Sequence, residues 1–489
     1  VLSLVGSEMC IRDSPYPRWF PSFAFGYGQP VLNFYGPLAY YWGLPFTLMG
    51  VDAVPALKLV FATGLVASAL AMYLFARLHL QRLPSLVAAV VYVYLPYHLV
   101  DLYVRGAVAE FLAFVWFPLV LWAFHRLVAN PERLRFASIG LASLLLAALS
   151  VTHSLSALLF APVLVAYVVV LLCQQRDLSA LGRTALAAAL ALAVSAFYWL
   201  PVLVESRYVG LGHGASQGYR EHLLLPSDLV SLSPTYGYPD AGVVPTYHLG
   251  MVQVALLVAS LILLLAVRRR RWLAVFFLVV AFASAFMLVT SSLPAWHLLE
   301  GGLAFLQYPW RFLSIAVLAT AFLSGLVIQA VADVSGRLGT VVGLVLLLVT
   351  AVWALWRLPV TPTAPDLSVE AMWAMDRKFG QVGTTWTGEY LPVWVTEQRW
   401  AISHPMQDSA AGQPTVQAGQ LQLTGVAHTR MEFSLGAPQG AGLALHQFHF
   451  PGWQAIWQGD VFHSRAAGAL GLASFDLPAG GGALSVRLS

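Results

Sequence analysis

In a chain that is otherwise apolar, seven titratable residues are the first candidates for chemistry: Asp101, Arg105, Glu110, His153, Glu205, Arg207 and Arg311. Asp101 and Arg105 stand four apart, a spacing that pairs them on one helical turn. Glu110 opens the next apolar stretch, where a helix N-terminus favours a carboxylate. An arginine grips a phosphate through two parallel N–H bonds, so Arg105 and Arg311 are candidates to hold a lipid phosphate. The alternative is a structural Arg105–Glu110 pair that does no chemistry. Glu110, His153 and Glu205 are the weak candidates for a catalytic acid or base. His153 lies in the turn Thr152-His153-Ser154, where the commoner role of a lone histidine is to cap a helix or pack. His213, His222 and His248 lack close metal-ligand spacing, and there is no Asp-x-Asp or Glu-x-Asp pair. The residues therefore support neither zinc nor a carboxylate-bound divalent metal.

The surroundings of these residues are membrane-like. Of 489 residues, 59% are hydrophobic and 10% charged, where a soluble protein carries roughly a quarter charged residues. The lipid bilayer is thus the first partner, and a net charge of +4 suggests no nucleic-acid partner. Cys10 and Cys173 make neither a disulfide framework nor a thiol metal site. Apolar stretches near the roughly 20 residues of a spanning helix fall at about 56–76, 84–99, 107–127, 136–151, 154–173, 184–201, 247–267, 272–291, 310–331 and 338–357. A single helix over 136–173 would be about 57 Å long, too long for one crossing, so a break is expected at 150–154.

Arginine in the short loops sets the orientation. Arg77, Arg82, Arg126, Arg133, Arg135, Arg176, Arg183, Arg268 to Arg271 and Arg337 fall on one side, which is then cytoplasmic. The seven candidates fall at the outer helix ends, where they would ring one cavity. Above it would lie residues 15–45, with six prolines, four glycines, eleven aromatic residues and Arg18 as the only charge. Six prolines forbid a continuous helix, and rings of this kind suit a membrane–water interface. This external aromatic loop, with an interfacial helix over 36–50, would contribute Arg18, Trp19, Tyr27, Tyr35 and Tyr40 to the cavity, joined by Asp101 and Tyr308. Pro309 takes a favoured first-turn position in Tyr308-Pro309-Trp310-Arg311.

From residue 358 the pattern changes to alternating runs broken by Gly and Pro: QLQLTG at 420–425, RMEFSLG at 430–436, 443–462 and 473–489. Period-two alternation of this kind predicts an antiparallel β-sandwich. Residues 358–489 are expected to form an external β-rich domain that stops in mid-strand, with Trp453 and Trp457 either stacking on sugars or, more simply, packing its core. Residues 1–14 share no pattern with the rest, resemble sequencing-adapter read-through and are set aside. The expected domains are therefore 15–357, transmembrane, and 358–489, in a chain cut at both ends.

PRWFPSFAFGYGQPVLNFYGPLAYY, YVRGAVAEFLAF with WFPLVL, the Thr152-His153 turn, FYWLPVLVE at 197–205, YPWRF at 308–312, GEYLP at 388–392 and FPGWQA at 450–455 carry a resemblance over nearly the whole chain. In order and spacing they resemble the 6-pyruvoyl-tetrahydropterin synthase-related and YfhO-like bacterial membrane proteins, which look like C-type glycosyltransferases (GT-C). The resemblance implies a multi-pass enzyme of the bacterial cytoplasmic (inner) membrane, its C-terminal domain extracytoplasmic. It would move a sugar from a polyprenyl-phosphate donor to a glycan or protein acceptor, with no further cofactor implied. In such enzymes the catalytic Asp or Glu follows the first span. Here that position would precede Pro15, leaving the catalytic residue unknown and the total at about eleven helices. The pterin part of the family name finds no metal-binding histidine set in the residues. The competing reading is a non-catalytic membrane protein that binds or moves lipid-linked glycan, or an envelope-assembly scaffold.

Overall fold

A computed structural model describes residues 16–129, 135–210, 219–230, 247–264, 270–303, 306, 308–355, 368–382, 388–404, 414–417, 419–427 and 430–488. The excluded 1–14 segment, His213, Arg133, Arg268 and Arg269 lie outside these residues. The chain divides into two compact units. One gathers the described residues of 36–199 and 215–362, the other those of 1–35, 200–214 and 363–489. The expected 15–357 boundary does not coincide with this division, because residues 16–35 and 200–210 share a core with the C-terminal strands.

The first unit is helical. Among the described residues, Ala53–Ala76, Val108–Ala129, Ser154–Gln175 and Pro309–Val334 are long and apolar enough to cross a membrane. Two bent pairs, Arg82–Tyr94 with Pro96–Tyr103 and Ser179–Val194 with Ala196–Tyr208, raise the number to six if each is one span. Each of the ten apolar stretches overlaps a helix, yet Phe136–Thr152, Met251–Leu263, Arg271–Phe286 and Gly336–Val352 are shorter than a span. The first bend, 44°, has a local cause. Pro96 opens the second helix and brings no N–H, so the hydrogen-bond ladder is interrupted there.

Helix Phe312–Val334 is the centre of this unit, with sixteen buried residues that include Ala316, Ala319, Ala321, Ser324 and Gly325. Small side chains let helices approach closely without a hydrophobic driving force from lipid. Gly325 shows how closely, since a Cβ there would fall 2.7 Å from the Pro84 carbonyl oxygen. Peripheral helices bury one face and leave the other apolar. In Ala53–Ala76, Leu57, Val60, Gly64 and Met72 face inward, while Val66 and Leu70 stay exposed. Helices apolar on every side belong in lipid.

The expected break falls at His153, which separates Arg135–Thr152 from Ser154–Gln175. In place of the interfacial helix over 36–50 there are two short helices, Leu38–Tyr41 and Leu44–Leu48, the second with Pro45 in its first turn.

Among its described residues the second unit carries nine strands: β1 Thr415–Gln417, β2 Gln420–Ala427, β3 Arg430–Ala437, β4 Ala441–Phe448, β5 Trp453–Trp457, β6 Asp460–His463, β7 Arg465–Ala467, β8 Leu472–Leu477 and β9 Gly480–Leu488. They form two antiparallel sheets, ordered β1-β4-β8-β7 and β2-β3-β9-β5-β6. Alternate residues of β4 and β5 are buried, as the period of two demands. One hydrophobic cluster takes Leu443, Leu445 and Phe475 from the first sheet and Phe433, Trp453, Trp457 and Val486 from the second. Trp453 and Trp457 are therefore core residues.

The aromatic segment finds its partners here. Trp19 donates its indole N–H to Gln447 Oε1 at 2.6 Å and meets Trp453 edge-on. Phe34 stacks on Tyr390, and residues 208–210 bond to 391–393, with Gly210 N donating to Leu391 O at 3.1 Å. The run expected over 443–462 divides into three strands. A tight turn at Gln458 and Gly459, both with positive φ, closes the β5–β6 hairpin, the geometry favoured for two-residue connections.

Candidate functional site

The helical unit gathers five of the seven candidates. Helix Pro96–Tyr103 ends in a turn in which Ala107 N donates to Asp101 O and Arg105 N donates to Val100 O, each at 2.9 Å. Gly106 adopts φ +58, which glycine takes without steric cost. The turn therefore folds Arg105 back between Asp101 on the helix before it and Glu110 in the first turn of Val108–Ala129. Arg105 Nη1 lies 2.5 Å from Asp101 Oδ1, 2.9 Å from Glu110 Oε2 and 2.9 Å from Tyr97 Oη. Tyr97 in turn donates to Glu110 Oε1 at 2.6 Å. Both oxygens of Glu110 are thus committed, which suits a residue that positions cations.

Arg311 enters from the short helical turn Pro309–Arg311 that precedes Phe312–Val334. Its Nε lies 3.9 Å from Glu110 Oε2, beyond hydrogen-bond length. Its Nε and Nη1 are buried with no hydrogen-bond partner among the described residues, as are Trp310 Nε1 and Asp101 Oδ2. Each unsatisfied buried donor costs about 1–3 kcal/mol, more when charged. Rings surround this corner. Tyr308 stacks on Trp310 at 4.4 Å, Tyr247 and His222 meet Trp310 at 5.0 and 4.7 Å, and the Arg311 guanidinium lies 5.5 Å from the Tyr308 ring centre.

His153 is close enough to Glu110 and Arg311 to feel both charges. Its Nδ1, however, accepts from Ser156 N at 3.3 Å and lies 2.7 Å from Ser156 Oγ, so it caps helix Ser154–Gln175. Caps are worth about 1 kcal/mol. Substituting His153→Asn, which preserves a cap, is expected to leave both melting temperature and activity near wild type, whereas His153→Ala lowers the melting temperature. Loss of activity in the stably folded Asn variant would make His153 a base instead.

The other two candidates, Glu205 and Arg207, belong to the second unit. Glu205 accepts from Arg18 Nη2 at 2.5 Å and from Asn33 Nδ2 at 2.7 Å, and Arg18 Nε donates to Asn33 Oδ1 at 2.8 Å. This closed three-membered network occupies both Glu205 oxygens. Arg207 bonds to Tyr208 Oη at 2.8 Å. Trp19, Tyr27 and Tyr35 pack into the core with the strands, whereas Tyr40 is buried and Tyr308 half-buried in the helical unit. Aromatic residues find partners wherever apolar surface is offered, and the strands offer Phe448, Phe450 and Trp453.

Tyr97 and Tyr247 are not among the candidates read from the sequence. Tyr97 carries a signal, because it stands four residues before Asp101 and so shares its helix face. Tyr247, some 140 residues away from the turn, carries none.

No three His, Cys, Asp or Glu side chains among the described residues come together as a metal cage. A bundle of apolar helices with a buried cluster of paired charges at one end defines a polytopic α-helical membrane protein. Residues 32–358 match the 6-pyruvoyl-tetrahydropterin synthase related domain, a membrane protein family. The chain belongs to that family. No curated protein matches it.

Proposed function

We propose that the protein is a membrane glycosyltransferase that takes a sugar from a polyprenyl-phosphate donor, with Arg311 holding the phosphate. The observation that carries this reading is the group of buried N–H donors on Trp310 and Arg311 without an acceptor among the described residues. A phosphate oxygen accepts such bonds, and a guanidinium binds two at once. Arg105, already neutralised by Asp101 and Glu110, supports the site through its carboxylate partners. In the transfer, an acceptor hydroxyl oxygen bonds to the anomeric carbon while the bond from that carbon to the phosphate oxygen breaks. The electron pair leaves with the polyprenyl phosphate, whose charge Arg311 stabilises. The hydroxyl proton passes to a carboxylate. Within the described helical unit, Asp101 is the member of the cluster with an uncommitted oxygen.

The setting extends the same reading. Counting the four shorter helices with the four long ones and two bent pairs gives ten spans, and the two sheets face each other as an extracytoplasmic sandwich. The membrane is the bacterial inner membrane, and the acceptor is a glycan or protein on its outer side. The self-neutralised Arg105 group also favours a second reading, a non-catalytic protein that binds or moves lipid-linked glycan. The test is to incubate the protein in liposomes with radiolabelled undecaprenyl-phosphate-linked glucose and an acceptor glycan mixture. A transferase releases undecaprenyl phosphate and labels the acceptor. Retention of intact donor under every condition would leave the binder.

A further inference from the structure

A pocket of about 220 Å³ opens in the strand-bearing unit between the 21–27 turn, helix Val369–Phe379 and strands β3 and β4, with Phe25, Gly26, Trp373, Met431, His446 and Gln447 in its wall. It is smaller than the roughly 300–1,000 Å³ of sites for drug-sized ligands, so it takes a single ring. Its wall alternates ring faces with polar atoms. Phe25 and Trp373 are tilted by 38° at 6.1 Å between centres. His446 is stacked on Tyr27 at 4.2 Å, and burial lowers its pKa below the ordinary histidine value, which keeps the ring neutral.

A second observation is independent of the cavity. Ala24 and Phe25 hold φ of +52 and +58 ahead of Gly26 at +85, a backbone that bulky side chains rarely adopt. Strain of this kind persists only where surrounding contacts over-determine it, and it gathers at ligand clamps. Here the contacts are explicit. Gln447 Nε2 donates to Gly26 O at 2.6 Å, Phe448 N to Tyr27 O at 2.6 Å, and Trp373 Nε1 to Ser22 O at 3.1 Å. Their effect is to fix the Phe25 ring beside Trp373 at the pocket.

We infer that this pocket binds one pyranose ring of a glycan. The C–H faces of a pyranose lie on Trp373, Phe25 and His446, and its hydroxyls reach the imidazole and the peptide groups of the turn. Trp373 is partly exposed at the pocket, unlike the buried Trp453 and Trp457, so part of its indole face is open to a ligand there. The inference goes beyond the phosphate site and does not depend on it.

The test uses the full chain in nanodiscs and saturation-transfer NMR with the methyl glycosides of glucose, galactose and N-acetylglucosamine, none of which carries a phosphate or a lipid. At least one should receive saturation, strongest at ring C–H protons. Met431→Trp and the milder Met431→Phe, which fill the pocket, should abolish or reduce the signal in variants whose melting temperature matches wild type. Met431→Leu should preserve it, and so should Arg311→Ala, which keeps this inference separable from the phosphate reading. No transfer to any of the three glycosides, or full transfer in the folded filled variants, would overturn it.

Discussion

Arg311→Ala is expected to weaken binding of undecaprenyl phosphate, and to slow transfer from its sugar-linked form, by about ten- to a hundredfold. That range corresponds to the loss of one charge-assisted hydrogen bond of about 1.5–3 kcal/mol. The same substitution should leave the ligand-free protein nearly as stable as wild type, because Arg311 Nε and Nη1 are buried without hydrogen-bond partners among the described residues and the nearby Glu110 carboxylate, 3.9 Å away, is already held by Arg105 and Tyr97. Removing an unsatisfied charge relieves a desolvation cost where removing a paired one would expose it. Arg311→Lys should retain part of the binding, since an ammonium supplies charge but not the two-pronged geometry. The combination of lost function and retained melting temperature is the signature of a ligand residue. A large fall in melting temperature with undiminished binding by the remaining folded protein would mark Arg311 as structural.

The second large effect runs the other way. Glu110→Ala removes the acceptor shared by Tyr97 and Arg105 and the carboxylate nearest Arg311. Breaking a buried ion pair by deleting one partner costs about 3–5 kcal/mol, because the other charge stays buried alone. The variant should therefore melt well below wild type in detergent and accumulate poorly. Glu110→Gln, which still accepts a bond from Tyr97 or Arg105, should fall between. An unchanged melting temperature for Glu110→Ala would mean that the cluster contributes no stability.

These two residues show what was legible in the sequence. The i, i+4 pairing of Asp101 with Arg105 and the capping role of His153 are local, and local geometry follows from spacing. The helical break at 153 follows from length alone. Hydropathy also marked every apolar stretch, but it reports the solvent that a segment prefers and not its neighbour. Trp19 and Gln447, 428 positions apart, share a hydrogen bond that no periodicity encodes. For the same reason the sequence does not reveal that rings of residues 16–35 share a core with the C-terminal strands. Likewise, Arg311 could be placed at a helix end from YPWRF, but its lack of a partner emerges only when Glu110 and Arg105 have saturated each other.

The most direct test of the phosphate site is native mass spectrometry of the detergent-solubilised chain, with undecaprenyl phosphate and undecaprenol offered at equal concentration. The two lipids share the same hydrocarbon, so apolar contacts cancel and the phosphate alone decides. The account predicts that the phosphate form binds at least tenfold more tightly and that Arg311→Ala removes this preference. Equal binding of the two lipids, or a preference that survives Arg311→Ala, would contradict it.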